Sequence, residues 1–563
     1  MEPQNNAFNK SYNITRNYRI LFPLIISIAS FLAYLNTITH QFAYDDFTVI
    51  VNNSFIKDFK YFPALFNQNY FDISKELSYR PLVTLSYFID NAIWQHTPFG
   101  FHLTNLLIHT LNTTLIFFFI LKITHNIKLA IISCLLFTSH PILTESVNSA
   151  GFREDLLCTT FFITSLLLYG KLHTSKRKNI FYIITLITYC LSLLSKELAI
   201  SLPLIIFVMD ILLPQSEINL KTRILKYYSG FVLVSVFYIF TRLFFLRSGI
   251  ENITYPGNSI AINILTMPKV IASYVKLLFF PVILNPDYHV TLESSLISQT
   301  FLPSLASLIC ITIIIYKLFR KQKNTAFPIL WVFITLVPVM NIVPIGNIMA
   351  ERYLYLPSIG FCIFLGIVIL KIRRSLANNY RHISIICLLT LLLFYFSSTI
   401  KHNRKWYDDM TLWTYTISNT SCGFTTHNNI GKEYLKKGFI DKAIDEFNIA
   451  ITKASEVRYA YPIAHYNLGI AYDEKGMYDA SIQEYRNALR IDPKNADTHN
   501  NLAITLFKNG HVTAAIEELN KAITLNPNDS RYHFNLAKIY NEINMFEKAR
   551  IEQKIANHIE EAN

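Results

Sequence analysis

From residue 20 to residue 400 the chain alternates long apolar runs with short polar ones, and beyond that point the runs stop. Twelve apolar blocks are legible, at 20–38, 101–121, 128–144, 155–170, 180–195, 197–213, 228–246, 265–284, 300–316, 326–345, 353–370 and 383–399. A helix needs about 20 such residues to cross a bilayer, so the pattern predicts a polytopic helical bundle. The stretch 39–99 interrupts it, too polar to span and too long for a plain connector. Its aromatics (Phe55, Phe59, Tyr61, Phe62, Phe66, Tyr70, Phe71) place parts of it on the membrane surface as amphipathic helices.

After Thr420 the periodicity changes. Asn467-Leu468-Gly469, Asn501-Leu502-Ala503 and Asn535-Leu536-Ala537 recur at intervals of 34 residues. Gly476 and Gly510 keep the interval, as do Ala488, Ala522 and Ala556, and Pro493 and Pro527. That is the tetratricopeptide pattern of paired helices. Asn429-Ile430-Gly431, Gly438, Ala443 and Ala450 form an earlier unit displaced by four residues, so four repeats are expected. The chain then reads as all-α: a polar tail at 1–19, a membrane domain at 20–400 with a large outer loop at 39–99, a linker at 401–423 and repeats at 424–563.

Composition agrees, with 52% hydrophobic and 16% charged residues among 563. The net charge of +13 points to positive-inside topology rather than to nucleic acid, because most of the excess lies in short loops between apolar blocks. Lys171, Lys176, Arg177 and Lys178 mark one cytoplasmic loop. Lys221, Arg223 and Lys226 mark a second, Lys317, Arg320, Lys321 and Lys323 a third, and Lys371, Arg373, Arg374 and Arg381 a fourth. Three apolar blocks separate the second mark from the third, where an even number must cross. Block 265–284, with Lys269, Lys276, Pro268 and Pro281, is therefore taken as re-entrant or interfacial. About eleven crossings remain, which puts the N-terminus, with Lys10, Arg16 and Arg19, in the cytoplasm and the repeats outside. Lys401, Arg404 and Lys405 run against this rule. The first block reads as a retained signal-anchor, since no small-residue cleavage site follows it. Six of the seven cysteines lie in apolar blocks, leaving only Cys422 in the polar part, so no disulfide framework is expected.

Candidate chemistry collects where this topology places the outer face. Asp45 and Asp46 follow the first span directly, and ionisable groups at such a membrane boundary are costly enough to suggest function. Ser78 to Leu82 carries Arg80; His140 and Glu145 flank the next outer turn, with Arg153 shortly after. Lys196-Glu197, Asp287 and Glu351-Arg352 follow in later turns. Singly each is an ion pair or a cap, such as Arg153 with Asp155. Together they suggest a site for an anionic ligand beside a base. No Gly-rich phosphate loop occurs, and no histidine spacing marks a metal site; His102 and His109 share a helix face as core residues.

These residues resemble a family. A carboxylate pair after span one, Ser78 to Leu82, Gly100-Phe101-His102, His140-Pro141, Gly151 to Leu157, Ser195-Lys196-Glu197, Asp287-Tyr288, Glu351 to Pro357 and a terminal repeat array look like the motifs of transmembrane-and-tetratricopeptide-repeat proteins. That family is related to protein O-mannosyltransferases of the GT-C fold. The resemblance implies a GT-C-like bundle that moves a sugar, mannose, from a polyprenyl-phosphate donor to Ser or Thr of proteins. It implies Asp45 or Asp46 as base and Arg80, Arg153, Lys196 and Arg352 on the donor phosphate. It also implies that Asn429, Asn467, Asn501 and Asn535 face a groove that takes acceptor polypeptide. A divalent cation is compatible with such a site, and no other cofactor is called for. The richness in Ile, Asn and Lys points to an AT-rich bacterial genome, hence a plasma membrane with periplasmic repeats; in a eukaryotic host the same topology means an endoplasmic reticulum membrane with lumenal repeats. The alternative is a membrane-anchored adaptor whose repeats bind partners and whose bundle performs no catalysis.

Overall fold

The computed structural model describes residues 20–67, 70, 79–172, 175–213, 220–245, 255–419, 423–456 and 459–562. The tail 1–19, Phe71, Ser78 and Cys422 lie outside the described residues. All regular structure among them is helical. The chain divides into two units, one comprising residues 1–286 and 290–412, the other 287–289 and 413–563.

In the first unit, eight helices among the described residues are long and apolar enough to cross a membrane, or nine if one bent pair counts as a single span. They include α1 (Ile20–Thr39), α3 (Pro98–Thr124), α6 (Lys178–Ser195), α8 (Lys221–Arg242), α9 (Ile260–Phe279), α10 (Phe301–Lys321) and α12 (Tyr355–Ser375); the shorter α2 (Pro81–Trp94) precedes α3. The bent pair joins α4 (Ile127–Ser139) to Pro141–Asn148 at 56°. Proline can open a helix but cannot continue one, and His140-Pro141 sits at the break. Three expected spans fall short of that length-and-composition test. The helix α5 (Arg153–Lys171) opens on three charged residues, α7 (Leu202–Leu212) has 11 residues, and α11 (Lys323–Leu336) has 14. Side chains such as Leu233 and Leu393 are 70% and 72% exposed, which suits a lipid solvent rather than water.

Although α9 passes the test, its partners all belong to one end of the bundle. Asn263 bonds the Asn341 carbonyl, Lys269 pairs with Glu293, Tyr274 accepts from the Ala350 N–H, and the Leu278 carbonyl meets His140. By length and composition it is a candidate span, where a re-entrant or interfacial segment is expected from Lys269, Lys276 and Pro268. The same end gathers residues 41–46, 80, 145–155, 196–197 and 351–352, and the last apolar helix, α13 (Arg381–Asn403), returns to it. There the Gln41 N–H donates to the Tyr407 carbonyl at 2.8 Å.

The second unit holds four helix pairs: α14 (Phe424–Lys436) with α15 (Ile440–Glu456), α16 (Pro462–Glu474) with α17 (Tyr478–Ile491), α18 (Ala496–Lys508) with α19 (Val512–Leu525), and α20 (Ser530–Glu542) with α21 (Phe546–Ala562). The turn inside each of the first three pairs needs a left-handed residue, supplied by Gly438, Gly476 and Gly510 (φ 77, 77 and 84°); Asn544 takes the place in the fourth (φ 61°). Each pair is also bridged by a histidine and a glutamate 19 residues apart. His427–Glu446, His465–Glu484, His499–Glu518 and His533–Glu552 meet at 2.7, 2.6, 2.5 and 2.6 Å. This second periodic signal is present in the sequence, yet the small-residue pattern alone does not expose it.

Candidate active site

The two adjacent aspartates have different fates. The turn after α1 passes through Tyr44, held at a left-handed φ of 59°, a conformation that costs roughly 1–2 kcal/mol. Its N–H donates to Asp409 at 2.6 Å, which ties the turn to the end of the bundle. Consecutive side chains in the helical turn that follows diverge by about 100°, so one carboxylate goes inward and the other does not.

Asp46 goes inward and is fully buried. Its Oδ1 accepts from the Gly151 N–H at 2.6 Å and the Ser149 hydroxyl at 2.8 Å, and its Oδ2 from the Ala43 N–H at 3.1 Å. Gly151 permits this approach, because a Cβ there would stand 3.1 Å from both Asp46 Oδ1 and Val49. Burial raises its carboxyl to about 7 against the pull of these donors. Asp46 is thereby a clamp joining the first outer turn to the 149–151 turn.

The Asp45 carboxylate accepts no hydrogen bond among the described residues. Burial raises it to about 6; Arg352 and Arg80 oppose the rise, while Glu154 and Glu145 add to it. It faces a chain of charges. Arg80 donates to Glu154 at 2.8 Å and reaches Glu197 at 3.4 Å. Lys196 lies 2.6 Å from Asp155 and 3.6 Å from Glu154, and Arg242 lies 3.5 Å from Glu197. Arg352 is held on Glu145 through both its guanidinium and its backbone N–H, and lies over the Phe152 ring at 4.2 Å. Burial would raise Glu197, but Arg80 and Arg242 keep it well below the usual carboxylate range. Burial would lower Lys196, but Asp155 and Glu154 raise it.

The four cations Arg80, Lys196, Arg242 and Arg352 thus meet Glu145, Glu154, Asp155, Glu197 and, nearby, Asp45. An incoming anion must compete with carboxylates for these cations. Lys196 stands 3.6 Å from Glu154 but is held by Asp155 at 2.6 Å; the other loose pairings are the two at Glu197, and the buried Nε of Arg80 has no partner among the described residues. Arg80 and Arg242 are the groups best able to turn towards a phosphate. Among the described residues no three His, Cys, Asp or Glu side chains gather as a metal site.

Several residues expected at the site are occupied elsewhere. Arg153 is fully buried; it pairs with Asp90, not Asp155, and donates to Asn105 at 2.8 Å and to the Phe101 carbonyl at 3.1 Å. It is an internal strut, remote in role from a phosphate ligand. His140 uses both ring nitrogens on backbone, at Leu278 (3.0 Å) and Ile142 (3.2 Å). Glu351 is buried and accepts from the Asn285 N–H. Asp287 belongs to the repeat unit, where it accepts from the Thr426 N–H and hydroxyl at 2.9 and 2.8 Å and so caps α14. The asparagines form bonds between repeats: Asn467 donates to Asn428, Asn501 to Tyr466 and Asn535 to Asn500, at 2.8, 2.9 and 2.8 Å, while Asn429 accepts from Asn428 at 3.4 Å. Arg242, at the end of an apolar block, carried no sequence flag; only its meeting with Glu197 marks it.

Residues 471–510 and 505–543 match the TPR repeat family. The chain is 27% identical over 423 residues to the protein O-mannosyl-transferase F38B6.6 of Caenorhabditis elegans, covering 73% of this chain and 59% of that protein. It is 23% identical to the protein O-mannosyl-transferase TMTC3 of Homo sapiens, covering 75% of this chain and 50% of that one. To Tmtc1 of Drosophila melanogaster, also named a protein O-mannosyl-transferase, it is 24% identical, covering 70% and 57%. The chain therefore spans between half and six-tenths of the length of these relatives. Among solved structures, a crystal structure of MamA covers 25% of this chain and 79% of its own at 23% identity, with a TM-score of 0.23, too low to carry an argument.

Proposed function

We propose that the chain is a member of the transmembrane-and-tetratricopeptide-repeat family and transfers mannose from a polyprenyl-phosphate donor to Ser or Thr hydroxyls of proteins. The observation that carries this reading is the Asp45 carboxylate, which lacks a hydrogen-bond partner among the described residues and lies beside a cluster of buried and half-buried cations. With its carboxyl raised to about 6, Asp45 is about nine-tenths ionised at pH 7 and is a stronger base than an ordinary aspartate.

In this reading Asp45 takes the acceptor's proton as the hydroxyl oxygen bonds to the anomeric carbon. The bond from that carbon to the donor phosphate breaks, and polyprenyl phosphate leaves with the electron pair. Such a direct displacement inverts the anomeric centre. Arg80 and Arg242 exchange Glu197 for the phosphate, a pairing that guanidinium geometry favours; Lys196 and Arg352 add positive field. The site end of the bundle faces away from the cytoplasm, where a lipid-borne sugar replaces nucleotide sugars as donor. The repeats present acceptor polypeptide, in the periplasm of a bacterium or the lumen of the endoplasmic reticulum.

The test is purified protein with a panel of polyprenyl-phosphate sugars and a Ser/Thr peptide, read by peptide mass. A hexose added from the mannosyl donor, and lost in Asp45→Asn, supports the reading. Full transfer by Asp45→Asn removes this aspartate as the base. No transfer from any donor, with partners still recovered through the repeats, favours the adaptor.

A further inference from the structure

At the end of the bundle opposite the carboxylates, a cavity of about 230 Å³ opens between the termini of α3, α4, α7, α11 and α12. The helix α12 fixes how far it lies from Asp45. Arg352 stands just before α12, and Arg374 near its last residue, a run of about 30 Å at 1.5 Å per residue. That is the thickness of a bilayer's hydrocarbon core, so the cavity sits at headgroup depth in the other leaflet.

Its lining has two characters. Ile367 and Leu370 give it an apolar wall that continues along the half-buried face of α12. Lys371, Arg374, Thr325 and Asn126 give it a polar rim. Lys371 donates to the Thr325 hydroxyl at 2.9 Å and to Gln322, neither of which neutralises it. Arg374 is exposed and forms no ion pair among the described residues. Asn126 spends its Oδ1 on the Leu129 N–H, leaving its NH₂ without a partner among the described residues. This is the reverse of the carboxylate cluster, where Arg80, Lys196, Arg242 and Arg352 each face a carboxylate.

We propose that this cavity binds the phosphate of an anionic membrane phospholipid, with the acyl chains lying along Ile367 and Leu370. Charge complementarity selects the occupant. Two uncompensated cations with hydroxyl and amide donors suit a phosphodiester, and an apolar wall at membrane depth suits a tail. A zwitterionic lipid would bring a second cation to a rim already positive. Binding here would brace the cytoplasm-side ends of α4, α11 and α12 against one another.

The test uses the full chain in detergent, titrated with dioleoylphosphatidylglycerol, dioleoylphosphatidylcholine or glycerol 1-phosphate and read by native mass spectrometry. Phosphatidylglycerol is expected to bind in preference to the other two. Lys371→Gln with Arg374→Gln should weaken it about thirty-fold, about fivefold per basic residue. Lys176→Gln with Lys178→Gln removes the same charge from exposed positions in a neighbouring loop and should leave binding unchanged. Equal binding of phosphatidylcholine overturns the proposal. So does glycerol 1-phosphate binding as tightly as the lipid, which would leave the apolar wall without a role. Equal losses in the two variant pairs would reduce the site to diffuse attraction by a basic membrane face.

Discussion

Asparagine at Asp45 and at Asp46 should break different things. Asp46 accepts at Oδ1 from Ser149 and Gly151 and at Oδ2 from Ala43. An asparagine that keeps the first two bonds turns its NH₂ towards the Ala43 N–H, setting donor against donor in a dry site. The expected loss is about 1–3 kcal/mol of stability. Asp45 gives up no hydrogen bond, so Asp45→Asn should melt like the parent while transfer falls by about 10²–10⁴. The pH dependence follows from the same geometry. Both carboxyls are raised above 3.8, to about 6 and about 7, so the native state holds these protons more tightly than the unfolded chain. Their contribution to stability is full below about pH 4 and is lost as pH rises through 6 and 7, at up to about 1.4 kcal/mol per unit for each group. Transfer needs Asp45 ionised and runs the other way, falling as pH drops below about 6. Asp46→Asn mimics the protonated group, so its stability deficit against the parent should shrink between pH 5 and pH 8. Scanning fluorimetry in detergent gives the stabilities, and mannosyl transfer to peptide gives the rates. Retained turnover in Asp45→Asn, with transfer lost from a fully stable Asp46→Asn, would exchange the two roles and refute the reasoning.

Glu145→Gln should cost about 3–5 kcal/mol, because it leaves the buried Arg352 guanidinium without its carboxylate; an unchanged melting temperature would show that the cation finds another partner. Asn467→Ala with Asn501→Ala should lower the melting temperature of the repeats by removing two bonds between repeats, each worth about 1 kcal/mol. Lost peptide binding with unchanged melting would restore the groove reading of these asparagines. In a cysteine-free background, an impermeant thiol reagent applied to intact cells should label Ser530→Cys and spare Ser175→Cys; the reverse pattern would invert the proposed topology.

The parts of this molecule legible in one dimension are those written as periods or runs. Spans announce themselves because lipid demands continuous apolar length, and the repeats because a 34-residue unit must stack on its own copy. The position of the aspartate pair was legible for the same reason, since it abuts a span. What one sequence leaves open is which charge meets which. Arg153 and Arg80 look equivalent as isolated cations, but Asp90 and Asn105 consume the first while the Nε of the second has no partner among the described residues. Asp45 and Asp46 are neighbours in chain and opposites in role because Ser149 and Gly151, more than a hundred residues away, approach only one. Pairings at that separation leave no local trace.

Asp287 has a consequence for the order in which the repeats assemble. All four repeats are closed by neighbours in sequence, the histidine and glutamate 19 residues apart within each pair. The first repeat is capped by a residue 139 positions earlier. Loop-closure entropy grows with the logarithm of that separation, and contacts of long separation form slowly. The cap on α14 should therefore be the last of these contacts to form, after the helix pairs have closed on themselves. A fragment beginning after residue 413 would omit the latch altogether, and its first repeat would fray.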